Sequence, residues 1–105
     1  MQDHLLDDKL AAARHYLASQ FPEHTVQSSK VEDPEHAAWP GYVLRIDHSG
    51  RKAHLVYLSE EFLDDHKVSE IDRLLRERRV ADKLRHAGTS PVLVTNHGIQ
   101  IQTEN

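Results

Sequence analysis

A chain of 105 residues and 12.1 kDa has the length of one domain. Leu, Ile, Val and Phe supply 26 of its residues, enough for one modest core and not for two. Cysteine is absent and the formal charge is −4, from 13 basic and 17 acidic residues. Disulfide frameworks, thiolate zinc sites, iron–sulfur clusters and cysteine nucleophiles are therefore excluded, and a reducing cytoplasm is the expected setting.

The acidic balance makes the chain a poor general ligand for nucleic acid. No apolar run approaches the roughly 20 residues of a bilayer span. Met1-Gln2-Asp3-His4 has no basic region ahead of an apolar run, so no secretory signal is expected. Charge is uneven along the chain: residues 1–66 are acidic, while residues 67–86 hold seven basic and four acidic side chains.

In chain order, residues 4–20 read as a helix with Asp3 as N-cap. Asp7 and Asp8 lie near its positive end. Leu6, Leu10, Ala13 and Leu17 form one stripe, widened by Leu5, Ala12 and Tyr16. Phe21-Pro22 ends the helix, because proline disfavours a helical residue before it. Residues 24–31 suit a strand of low apolar content near a sheet edge, and Glu32 to Gly41 read as a loop.

From Tyr42 to Leu58 the chain reads as a hairpin turning at Ser49-Gly50, with the turn type left open. The register that sets Tyr42 against Tyr57, Leu44 against Leu55 and Ile46 against Ala53 places these apolar groups on one face. It also sets Asp47 against Lys52. The opposite face then pairs Val43 with Val56 and Arg45 with His54. Ser59 is positioned to cap a short helix through Glu60–Leu63, and Ser69 with Asp72 resembles a capping box opening a helical region to Ala87.

The apolar phase changes within that region. Ile71, Leu74 and Leu75 cluster on one side, while Val80, Leu84 and Ala87 fall nearly opposite them. Either one helix is covered on two sides, or it breaks near Arg78-Arg79; the break is favoured. Gly88 and Pro91 suit its end. A second hairpin spans residues 91–102 around Asn96-His97-Gly98. The result is a single α+β domain over residues 1–105, ordered α-β-β-β-α(α)-β-β, with helices on one face of a mainly antiparallel sheet. That order alone is similar to double-stranded-RNA-binding folds and to small acidic chaperones of secretion systems, but no motif carries either likeness.

Nine histidines raise the question of metal binding. They stand at 4, 15, 24, 36, 48, 54, 66, 86 and 97, with no separation of two, three or four, so neither a helix nor a strand presents two ligands together. No metal site or cofactor is expected. Asp47-His48-Ser49 has the residue types of nucleophilic catalysis, but neighbours on a tight turn do not converge. The four glycines have turn or cap roles rather than forming a phosphate cradle. The acidic pairs lie on polar helical positions. No enzymatic activity is expected.

The leading expectation is a protein–protein interaction or regulatory module, with homodimerisation as one form. Trp39 places an aromatic group in a loop, and Val43, Val56 and Leu58 lie on the sheet face opposite the main apolar side. An uncovered last strand also invites strand addition. The alternative is a nucleic-acid-binding regulator built on residues 73–86 and the hairpin 91–102. Two short helices and a wing would then direct Arg76, Arg79, Lys83 and His86 towards the backbone or bases. Interleaved Glu70, Asp72, Glu77 and Asp82 weigh against it, with Asp72 at helical spacing from Arg76 and Asp82 from Arg78 and Arg79.

Overall fold

A computed structural model describes residues 3–30 and 41–101, with the side chains of the first helix described from Leu6 onward. The elements are α1 (Asp3–Gln20), β1 (Thr25–Lys30), β2 (Gly41–His48), β3 (Arg51–Ser59), α2 (Glu60–Asp65), α3 (Val68–Glu77), α4 (Val80–Ala87), β4 (Val92–Thr95) and β5 (Gly98–Ile101). This is the expected α+β order. The five strands lie in the order β1-β2-β3-β4-β5, all antiparallel neighbours except β3 and β4, which run parallel. A parallel pair cannot be joined by a tight turn, and residues 60–91 make the crossover with three helices.

The stripe on α1 is buried as its spacing requires: Leu10, Ala13, Tyr16 and Leu17 join Phe21 in the core, with Leu6 and Ala12 at its margin. Ser59 accepts a hydrogen bond from the Phe62 amide at 3.1 Å, so α2 starts where a short side-chain acceptor stands. The helical region does break. Arg79 takes a left-handed conformation (φ 54°, ψ 48°) between α3 and α4, and the change of direction turns Ile71 and Leu75 of α3 and Val80 and Leu84 of α4 into one core. The Tyr16 hydroxyl accepts from the Ala81 amide at 3.1 Å, satisfying one of the free donors at the start of α4. The start of α3 differs from expectation. It begins at Val68, and the Glu70 carboxylate, rather than Asp72, accepts from the Lys67 amide at 2.9 Å. That bond holds the Glu70 carboxyl below its ordinary range.

The central hairpin departs from the expected register. Near the turn, Asp47 pairs with Lys52 and His48 with Arg51, as the sequence suggests. A bulge then intervenes between Ile46 and Asp47, and beyond it Ile46 faces His54, Leu44 faces Val56 and Tyr42 faces Leu58. Ala53 is the extra residue, and everything after it on β3 changes face. Val56 and Leu58 therefore lie in the core, each 1% exposed, while Leu55 and Tyr57 lie on the outer face, opposite to the expectation. The expected register would bury Ala53, Leu55 and Tyr57 and the observed one buries Val56 and Leu58, so alternation does not separate them. The observed one leaves Tyr57 half-buried on the outer face instead of beneath the helices, where its hydroxyl would need a partner. Gly41 starts β2 where a Cβ would collide with the Leu58 carbonyl oxygen.

The register sets opposite expectations for two neighbouring residues. In urea denaturation, Leu58→Ala should cost about 2–5 kcal/mol and Leu55→Ala less than about 1 kcal/mol; the unshifted register would reverse that order.

Candidate functional site

The helices all pack on the side of the sheet carrying Leu44, Ile46, Val56, Leu58, Val92 and Val94. Across the other side runs the row Ser29, Val43, Tyr57, Leu93, Gln100, aligned residue by residue in the ladders. Of the residues expected to meet a partner, Val43 is on this face and half-buried. Val56 and Leu58 are not: the bulge places them beneath the helices. Trp39 lies outside the described residues. Leu55 and Tyr57, both half-buried, take the places assigned to Val56 and Leu58. Leu93, on the same face, is 2% exposed and stands apart from the helix-side core.

The basic segment is largely engaged inside the molecule. Arg73 lies between Glu70 and Glu77, at 3.6 and 3.8 Å. Arg76 pairs with Asp72 at 3.0 Å and stands 5.5 Å over the Tyr16 ring. Arg78 donates to the Thr95 carbonyl and stands 5.3 Å over Phe62. Arg85 donates to Asp82 and to the Gln20 carbonyl, both at 2.9 Å, and stands 4.9 Å over Phe21. Three arginines thus fasten α3, the α3–α4 junction and α4 to aromatic rings of neighbouring segments. Arg79, Lys83 and His86 are exposed and form no ion pair among the described residues. At the tip of the β4–β5 hairpin, Asn96 donates to Asp65 at 2.6 Å and accepts from His66 Nε2 at 3.2 Å. A wing reading nucleic acid would have to work with this tip already bound to α2 beside a carboxylate.

A third arrangement has no counterpart in the local sequence. His24 in the α1–β1 turn, His48 at the end of β2 and His54 on β3 converge at one corner. The His24 and His48 rings lie 4.7 Å apart with planes 36° from each other, and the Phe21 ring is 5.4 Å from His24 and 4.9 Å from His54. His54 Nδ1 donates to the Gly88 carbonyl at 2.8 Å. His54 reaches this side of the sheet because the Ala53 bulge turns it away from Arg45, its expected neighbour. With Gln20, Glu23 and Arg85, Phe21 and the His24 and His54 rings line an open depression of about 400 Å³. Among the described residues, no group of three or more His, Asp or Glu side chains is placed to hold a metal ion, and no helix is long and apolar enough to cross a membrane.

Burial, then the neighbouring His48 and His54, lower the pKa of His24 below its ordinary 6.5, with Glu23 acting in the opposite sense. The unfolded chain therefore binds this proton more readily than the folded one. Stability is intact above about pH 6.5 and falls as the pH drops from there towards the lower folded value. Urea midpoints measured from about pH 8 to about pH 5 should decline across that window. A separate expectation concerns the α3–α4 break. Arg79→Gly should leave the protein as stable or raise its stability by up to about 1 kcal/mol, since glycine adopts the left-handed conformation without a Cβ clash.

Neither a family model, nor a curated protein, nor a solved structure gives a significant match to this chain.

Proposed function

We propose that this chain is a small, cytoplasmic, non-catalytic interaction module that associates with a second copy of itself through the outer face of its sheet. The reading rests on the half-buried Val43, Leu55 and Tyr57 lying around Leu93 on the side that no described helix covers. An antiparallel sheet with one solvated face ordinarily alternates apolar with polar residues, so the part-exposed apolar groups of β2 and β3 ask for a partner, while Leu93 on β4 is already covered within the chain.

The chemistry of the face favours a copy of the same chain. Its central row, Ser29, Val43, Tyr57, Leu93 and Gln100, contains no group charged at neutral pH. Two acidic chains can therefore meet there without opposing like charges. Beside the row, Arg45 is already neutralised by Asp47 at 2.6 Å. Tyr57 supplies a rigid amphipathic ring of the kind enriched at interfaces. Five strands about 4.8 Å apart, each presenting about six residues at about 3.3 Å, offer a face of about 500 Å². That is less than the roughly 800 Å² per partner of a standard interface, so the association is reversible and concentration-dependent.

Sedimentation velocity from about 1 μM to about 1 mM spans the relevant affinity range. The wild type should shift from monomer to dimer, and Leu55→Asp should remain a monomer with an unchanged circular dichroism spectrum. A wild type that stays monomeric throughout, or a Leu55→Asp variant that dimerises equally well, would overturn the reading.

A further inference from the structure

We propose that His24, His48 and His54 form a proton-operated latch, which holds the α1–β1 corner against the central hairpin while the rings are neutral and releases it when they are charged. The proposal stands on geometry. His24 and His54 flank the Phe21 ring, and His48 lies against His24 at 4.7 Å, so three imidazoles from three separate segments form one chain of ring contacts. Neutral rings pack well at this distance, whereas two imidazolium ions repel each other. His24 Nδ1 is buried and has no hydrogen-bond partner, so a proton added there has no acceptor inside the corner. His54 uses its Nδ1 hydrogen on the Gly88 carbonyl, which leaves Nε2 as its basic atom.

The surrounding charges do little to relieve a charged pair. From the α1–β1 turn, Glu23 is the carboxylate that favours protonation of His24. From α4, Arg85 brings a further cation over Phe21, already partnered by Asp82. Along β2, Asp47 is engaged by Arg45, and across the hairpin Arg51 faces His48. His48 is exposed, whereas His24 holds a buried Nδ1 with no acceptor, so charge on both rings at once is what the stack opposes. The lowering of the His24 pKa has the same sense.

The latch acts on the edge of the sheet. Thr25 opens β1 directly after His24 and pairs with Asp47 directly before His48. Release therefore frays β1 from this end, up to the point where Arg14 holds Ser28 at 2.6 Å. The backbone edge of β2 beneath it then becomes free to pair with another strand.

Amide hydrogen exchange on the full chain at about pH 7.5 and about pH 5, corrected for intrinsic rates, tests this. Protection of the β1 amides between Thr25 and Gln27 that bond to β2 should fall about tenfold or more relative to Leu75 in α3. His48→Phe keeps a ring in the stack but cannot be charged, and it should reduce that loss to less than about twofold. Equal wild-type protection at the two pH values, or a loss in His48→Phe as large as in the wild type, would overturn the proposal. Should the variant fail to fold, the wild-type titration still decides. If His24 and His48 follow independent single-site curves with no accompanying shift of the Thr25 amide, there is no latch.

Discussion

Ala53 has no partner in the ladder between β2 and β3, and this one irregularity determines what each face of the sheet carries. Upstream of it, Lys52 and Arg51 keep the pairing that the turn dictates. Downstream, each side chain of β3 points to the side opposite the one it would take in an unbroken ladder. Val56 and Leu58 consequently meet the helices, and Leu55 and Tyr57 lie half-buried on the outer face. His54 is drawn in beside Phe21 and Gly88. The outer apolar face and the histidine corner, which look unrelated, are two results of the same extra residue.

The helix side is held by a mixture of apolar packing and cations lying on rings. Arg76 over Tyr16 and Arg85 over Phe21 join elements far apart in sequence, and Arg78 over Phe62 ties the end of α3 back to α2. Such contacts contribute about 0.5–1 kcal/mol apiece when exposed, while the accompanying surface ion pairs contribute little. Their larger effect is on orientation. The guanidinium groups lie over rings of α1, α2 and the residue that follows α1, and so bear on how α3 and α4 sit against them. A segment whose charge suggests an external anion is thus occupied largely with the protein's own aromatic groups and carbonyls.

Features depending on neighbours in sequence were legible from the residues. The α1 stripe ending at Phe21-Pro22, the Ser59 cap, the break at Arg78-Arg79 and the second hairpin with Gly98 after its turn all rest on contacts within a few positions. The register beyond Asp47 was not legible, because Leu55-Val56-Tyr57-Leu58 is apolar on both sides and offers no alternation to read. The cap of α3 was misplaced because Ser69-Asp72 and Lys67-Glu70 have the same spacing, and only the fold shows which acid reaches a free amide. The histidine corner could not be found by spacing at all: His24, His48 and His54 belong to different elements, and only the turned face of β3 brings the third to the others. The ring contacts of Arg76, Arg78 and Arg85 were likewise not legible, since the rings they cover lie outside their own segment.

The parallel seam between β3 and β4 bears on how the chain reaches this structure. The hairpin of β2 and β3 and that of β4 and β5 close over short turns, so each forms on local contacts at small entropic cost. Their union is different: Leu58 meets Val94 only after the three intervening helices have been gathered onto the sheet. The seam is the long-range pairing of the sheet, and pairing of that kind requires the loop between its partners to be closed first. Until then, the facing edges of β3 and β4 are both open, and the stage before they join is when this chain is most exposed to pairing with the wrong strand.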